Sequence, residues 1–385
     1  MREVCDLNTP ANCPACSSLR WRALPSWSHQ SMLSDGRNIG EPLEKEHCED
    51  CGLIRHASPP SQEEVEAIFS RDYALHDRLI DNIFEDQRQR IYADWILSLL
   101  GDRRVNSIFE IGAGTGSLMA ELRRRAPQLR LNGVEPVSSA VSRRADGLDI
   151  ECGLLRDIDT AVLRVDVVLS VNVIEHVHNP IEFLQQSRTA IADGGCIVTI
   201  CPDGDRPTTE MLVYDHIHSF TSHALERMAQ RAGLAVADKQ LAPAALGAFQ
   251  AVVLVPGSGT QISVPLADAL YNRRVSFLRG WQRLDEALLD RVRNVTDLFA
   301  FGSGENAQLL RAYAPRTWEM VCGIIADSEG SFDGRPVTLY SGVRTGKRRT
   351  VLLAVRPEIQ ETVANRLTSD GNIVIRWDDL VRSDG

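Results

Sequence analysis

VNSIFEIGAGTGSLMAELRRRA, residues 105–126, passes from a strand pattern through a glycine-rich loop into a helix pattern. The run IFEI ends at Glu110-Ile111, and Gly112-Ala113-Gly114-Thr115-Gly116 follows. Glycines at such a turn let backbone N–H groups at a helix N-terminus come close to a ligand. The next strand pattern, LRLNGVE, closes at Glu135, 19 residues beyond Gly116. A carboxylate at that point can accept both hydroxyls of a ribose. Working outward, VSSAVSRRA reads as a helix, VDVVLSV and CIVTIC as strands, and IEFLQQSRTAI as the helix between them. HALERMAQRAGL reads as a helix stopped by Gly233 in the C′ role. This alternation predicts βαβ units, hence a parallel sheet of Rossmann-like α/β type.

Upstream stand two C-x-x-C pairs, Cys13 with Cys16 and Cys48 with Cys51, separated by 31 residues. Each pair can offer two sulfurs from a tight turn, and two pairs complete a tetrahedral zinc shell. Pro14 and Gly52 supply turn formers at the two knuckles. Four buried or redox cysteines are the competing reading. Four sulfurs close a structural shell, so His47 and His56 are expected to be non-ligands. Residues 1–57 have few apolar side chains, and a structural zinc would supply their folding free energy.

At 385 residues the chain exceeds one ordinary hydrophobic core. The expected division is a zinc-binding module over 1–57 and a helical connector over 58–104. A cofactor-binding domain over 105–258 follows, then a long helix with a second Rossmann-like domain over 259–385. Ser61 and Glu64 form a capping-box pattern that opens the connector. Ile80, Phe84, Gln87, Ile91, Trp95 and Leu99 mark its second helix. Residues 267–296 read as one helix. LFAF, VCGIIAD, TVLLAV and NIVIRW then read as strands, with NAQLLRAYA and EIQETVANRL as helices. The net charge of -10 argues against nucleic acid or an anionic membrane as partner. No apolar run has the length of a membrane span, and MREVCDLNTPANC lacks the apolar stretch of a signal peptide. The cysteine usage points to a reducing cytoplasm.

The pattern E-x-G-x-G-x-G, followed by an acid closing the second strand, resembles the class I S-adenosylmethionine-dependent methyltransferases. A dinucleotide fingerprint would put its third glycine where Ser117 stands. DVVLSVNVIEHVHNP (166–180) resembles the family's segment bordering the methyl group, and GGCIVTICP (194–202) its next strand. The resemblance implies that Glu110, Gly112 and Gly114 face the methionine part, that Gly116 also belongs to the cofactor site and that Glu135 holds the ribose. It places Leu154 or Leu155 over the adenine and Asn172 near the amino acid or sulfonium.

The order of a four-cysteine module, IFSRDY, methyltransferase core and second Rossmann-like domain looks like the three-domain sugar C-methyltransferases and their relatives. That resemblance implies a small-molecule substrate, a nucleotide-linked keto sugar methylated at carbon through an enolate. The alternative is O- or N-methylation of a non-sugar natural-product intermediate. YDHIHSFT (214–221) resembles the family's E-H-x-x-[YF]-[FL]-[ST] stretch, with Val213 where the sugar enzymes carry tyrosine. The expected base is His216 assisted by Asp215, with His176 second and Tyr214 or Tyr73 steadying an enolate oxygen. His178, His218 and His223 are read as structural. In the C-terminal domain FAFGSGENA (299–307) offers a phosphate-type loop, and Asp327 a ribose-type acid. That loop carries Glu305 and no following lysine, and a diphosphate would be repelled there. A zinc-containing oxidoreductase and a non-enzymatic recruiting module are the competing functions.

Overall fold

The computed structural model describes residues 12–71, 73, 83–259, 268–343 and 348–381. The chain forms two compact units. The first comprises Met1–Ala23, Lys45–Met211 and Asp215–Leu270, the second Leu24–Glu44, Leu212–Tyr214 and Tyr271–Gly385.

In the first unit, Trp21–Ala23 (β1), Lys45–Cys48 (β2) and Ile54–His56 (β3) carry the cysteine knuckles. Helix Gln62–Arg71 (α1) starts at the anticipated capping box. Glu64 N–H donates to Ser61 Oγ at 3.2 Å, and Ser61 N–H donates to Glu64 at 2.6 Å. Helix Ile83–Leu100 (α2) follows, and the expected stripe residue Ile80 lies outside the described residues.

The strands that follow are Ser107–Ile111 (β4), Arg130–Glu135 (β5), Asp149–Cys152 (β6), Val165–Val171 (β7) and Ile191–Pro202 (β8). Helices Ser117–Arg125 (α3), Ser138–Ser142 (α4) and Pro180–Ala190 (α5) lie between them. His218–Ser219 (β9), Ser222–Arg231 (α6), Leu234–Leu241 (β10) and Phe249–Pro256 (β11) complete the series. The large sheet has the order β10-β11-β8-β7-β4-β5-β6. Only β11 runs against its neighbours. From β4 the chain steps outward through β5 and β6, then returns to β4's other side at β7. The switch point therefore lies at the C-terminal ends of β4 and β7, where open α/β sheets bind ligands.

Both faces of the sheet are covered. Tyr92, Ile96 and Leu99 of α2 and Leu118 and Leu122 of α3 pack with Ile108, Val167 and Val198. On the other face Phe183, Leu184, Leu225 and Met228 pack with Phe109, Val134 and Val168, and Cys13, Cys48, Cys51 and Leu53 join the same buried cluster. This changes the expected organisation. The described residues of the 1–57 segment divide between the two units: the cysteine knuckles group with the large sheet's unit, and residues 24–44 with the second. The reason is the scarcity of apolar side chains already apparent in this segment, which leaves it to share another core. The 58–104 connector likewise joins the first unit through α2.

The second unit is a six-stranded sheet. Its strands are Leu298–Phe301 (β12), Val321–Ala326 (β13), Gly330–Phe332 (β14), Arg335–Leu339 (β15), Thr350–Leu353 (β16) and Ile373–Ile375 (β17). Their order is β14-β15-β13-β12-β16-β17, with only β14 antiparallel. A second switch point thus falls between β12 and β16. There a Cβ on Gly302 would meet the Ala354 carbonyl oxygen at 2.7 Å. The long helix Asp268–Val292 supplies Trp281, which packs 5.0 Å from Trp377 and 6.0 Å from Tyr313. No helix among the described residues is long and apolar enough to cross a membrane.

Candidate active site

The glycine loop sits at the first switch point. Gly112, Gly114 and Gly116 have φ of 74, 56 and 76 degrees, the left-handed region that side chains resist. A Cβ on Gly112 would stand 2.6 Å from Val173 Cγ2, and one on Gly116 would stand 2.5 Å from Leu148 Cδ1. Two of the three glycines are therefore demanded by the protein's own packing. Gly194 provides a control: its φ is 79 degrees, and a Cβ there would have nothing within 4 Å. Gly194→Ala should cost about 1 kcal/mol for backbone conformation alone, and Gly112→Ala at least about 2–3 kcal/mol. Equal losses in urea titrations of the two variants would remove Val173 from the account.

Glu135 closes β5, as expected, and is buried. Its two oxygens accept the N–H of Gly114 and of Val137, each at 2.8 Å. Burial raises its pKa against those two bonds. It ties the glycine loop to β5, and a carboxylate oxygen can accept a second hydrogen bond beside the first. Glu110 is buried at the end of β4, and its Oε2 has no hydrogen-bond partner. Burial, then the charge of Glu135, pushes its carboxyl up to about 8. Asn172 follows β7 with φ 55 degrees, and its Oδ1 is buried without a partner. Two orphaned oxygens beside a glycine loop fit a cationic amino-acid ligand, which the methionine end of S-adenosylmethionine is. Leu155 is buried in the core, while Leu154 stays half-exposed. Of the two adenine candidates, only Leu154 keeps a free surface.

Among the described residues the four cysteine sulfurs form one cluster without a histidine, all within 4.8 Å of one another. The closest pairs are Cys13 with Cys51 at 3.4 Å and Cys16 with Cys48 at 3.5 Å. Tetrahedral Zn–S bonds of about 2.3 Å imply sulfur separations of about 3.8 Å, so the donor set suits zinc.

A buried polar cluster lies around the turn Ile174–His176 that follows β7. The His176 and His216 rings meet edge to face with centroids 4.8 Å apart, and Phe69 of α1 packs 4.9 Å from His176. The expected carboxylate partnership is corrected here. His216 Nδ1 bonds Glu210 Oε2 at 3.3 Å, not Asp215. Asp215 instead serves His176: its carbonyl accepts Nδ1–H at 2.8 Å, and its carboxylate stands 3.6 Å away. The reversal has a local cause. Asp215 sits in a bend, and from there its carbonyl and carboxylate both reach His176.

Burial pushes His176 down to about 4, helped by the charge of His216. Burial opposes protonation of His216 too, but the Glu210 hydrogen bond and the charge of Glu175 raise its pKa overall. Glu175 is buried with neither oxygen hydrogen-bonded, and burial pushes it up to about 7. Lys45 donates to the His216 carbonyl at 3.1 Å and is pushed down to about 8 by burial. Tyr214 belongs to the second unit, where its N–H donates to Met32 at 2.8 Å. Tyr73 packs 4.9 Å from Phe69. His178 and His218 donate to backbone carbonyls of Pro60 and Val177, at 2.6 and 3.2 Å. Glu210 and Lys45 were not legible: they reach the cluster from a short turn and from the cysteine ribbon, with no sequence motif linking them.

Residues 84–239 match the family model described as a methyltransferase domain. The chain is 27% identical over 183 residues to an uncharacterized 37.1 kDa protein in transposon TN4556 of Streptomyces fradiae, covering 46% of this chain and 52% of that protein. The chain thus spans about half the length of the curated relative it matches. Among solved structures it is similar to the mitomycin 7-O-methyltransferase MmcR, at 17% identity over 50% of this chain and 60% of that one, with a TM-score of 0.42. It is also similar to the CcbJ methyltransferase from Streptomyces caelestis, at 16% identity over 48% of this chain and 98% of that one, with a TM-score of 0.37. Likenesses this distant carry no shared substrate. Residues 84–239 thus carry a methyltransferase domain, and they take in strands β4 to β8 of the large sheet with the glycine loop and Glu135.

Proposed function

We propose that the protein methylates an oxygen of a small-molecule biosynthetic intermediate, with a structural zinc held by Cys13, Cys16, Cys48 and Cys51. The observation that carries this reading is the buried pairing of His176, on the turn leaving β7 at the switch point, with His216. S-adenosylmethionine supplies, when bound, an electrophilic sulfonium methyl. Glu110 and Asn172 would hold its amino-acid end, Glu135 its ribose and Leu154 its adenine.

The acceptor must lose a proton as it becomes nucleophilic, and the histidine pair is suited to that task. A carbonyl can only accept, so the Asp215 contact puts the His176 proton on Nδ1 and leaves Nε2 as the lone-pair nitrogen. Glu210 orients His216 in the same manner. Asp215 and Glu210 are positioning residues. The C-methylation of a nucleotide-linked sugar draws less support. Glu305 is exposed at the second unit's loop, and Asp327 is engaged by Arg366 at 3.0 Å.

Calorimetry with S-adenosylmethionine and with NAD tests the cofactor assignment, and transfer of a labelled methyl to a panel of phenols, enols and hydroxy acids tests the acceptor. Glu110 adds a pH signature. Free, its carboxyl titrates near 8; beside a bound ammonium it would be ionised. Binding therefore releases a proton below pH 8, and affinity rises with pH by up to about tenfold per unit before levelling off. Glu110→Gln should flatten this rise. A rise of the same size in Glu110→Gln, or preference for NAD, would refute the respective assignment.

A further inference from the structure

Glu175, His176 and His216 present one ligand atom each, all within 4.8 Å of one another. In both rings Nδ1 is taken, by the Asp215 carbonyl and by Glu210, so each ring has Nε2 to offer. Metal-binding histidines characteristically donate their other ring N–H to a carboxylate or a backbone carbonyl, which fixes the ring. Glu175 is 1% exposed, and neither oxygen has a hydrogen-bond partner. A buried carboxyl without partners is costly, and such a group calls for a donor or a cation.

The charge inventory points the same way. Three buried carboxyls, Glu175, Glu210 and Asp215, surround one buried ammonium, Lys45. A divalent cation would offset negative charge among these buried carboxyls. Two imidazoles and one carboxylate are the donor set that binds first-row divalent metals while leaving positions open.

We propose that Glu175, His176 and His216 form a second metal site, separate from the cysteine tetrad, that binds a divalent transition-metal cation. Donors within 4.8 Å of one another must still close in before all three stand about 2.0–2.2 Å from a common ion. The open positions suit an acceptor bearing one or two oxygens. An acceptor oxygen bound there would have a lowered pKa and would lose its proton to water, with the two imidazoles acting as ligands in place of the base role. The use of the ion rests on the methyltransferase reading, whereas its ligation does not.

The test is a titration of the zinc-loaded protein with cobalt(II), followed by visible absorption. The expected result is one saturable equivalent with the weak d–d bands of nitrogen and oxygen ligation and no thiolate charge transfer. Glu175→Gln, which keeps size and shape, should abolish the signal. Glu210→Gln, which touches no ion, should weaken cobalt affinity about 10–100-fold. Melting curves and zinc content of both variants, matched to wild type, establish that they are folded. Absence of a saturable signal, bands of thiolate type, or unchanged affinity in Glu175→Gln would each overturn the site. Calorimetry with S-adenosylmethionine on the same samples keeps the two readings apart. Cofactor binding without cobalt binding sinks the metal site alone, and cobalt binding without cofactor binding sinks the methyltransferase reading alone.

Discussion

His176→Asn should lower methyl-transfer turnover by roughly 10²–10⁴-fold while leaving affinity for S-adenosylmethionine within about twofold of wild type. Asparagine fills similar space and can still donate to the Asp215 carbonyl, which His176 Nδ1–H now reaches at 2.8 Å. It has no basic nitrogen, so it neither takes a proton nor ligates a cation well. The groups proposed to face the cofactor sit elsewhere, on the glycine loop, at Glu135 and at Asn172. Phe69 fixes the edge of the ring, and His216 lies at a centroid distance of 4.8 Å. His216→Asn should produce a loss of the same order, because the two rings converge on one point. Steady-state rates on the acceptor found by labelled-methyl screening, with calorimetry alongside, decide the matter. Near-normal turnover in His176→Asn would leave the histidine pair a structural feature. A parallel collapse of cofactor affinity would place His176 in the cofactor site instead.

The parts of the fold legible in the sequence are those whose cause is local. The strand Ser107–Ile111, its loop and the helix from Ser117 follow from an apolar run, three glycines and a helical stripe. The capping box at Ser61 and Glu64 is likewise a four-residue signal. Gly233 at φ 74 degrees ends its helix as a C′ glycine should. What was not legible depends on distant pairing. Strand His218–Ser219 is two residues long and forms only because Ile54–His56 offers it an edge. The partner of His216 was not legible for a similar reason: Glu210 stands six residues away across a turn, and no sequence motif joins the two. Residues 24–44 join the second unit although nothing in their composition announces it. Glycine readings were right in position and incomplete in cause. Gly112 and Gly116 are fixed first by Val173 and Leu148, before any ligand is considered.

Cys48→Ser should prevent binding of the proposed zinc and unmake the histidine loop along with the ribbon. The cysteine tetrad closes the hairpin of Lys45–Cys48 and Ile54–His56, and that hairpin is the template for His218–Ser219. The ties run straight from the metal knuckle to the loop. Thr221 Oγ1 donates to the Cys51 carbonyl at 2.7 Å, His56 N–H donates to Ile217 at 3.1 Å, and Lys45 donates to His216 at 3.1 Å. In small zinc modules the metal supplies up to about 10–16 kcal/mol of apparent binding energy, which is folding energy. Three thiolates hold the ion far less well than four, and a loss of about 3 kcal/mol or more from the unit's stability is expected. Cofactor affinity should change less than turnover, since the glycine loop hangs on β4 and β5 rather than on the ribbon. Elemental analysis, thermal melting, cofactor calorimetry and turnover on one preparation test the chain of cause. A strong chelator acting on wild-type protein should reproduce the variant, and added zinc should restore the wild type but not Cys48→Ser. Full zinc content with an unchanged melting temperature in Cys48→Ser would break the link. So would loss of zinc with turnover intact, because the ribbon would then hold its strand without the metal.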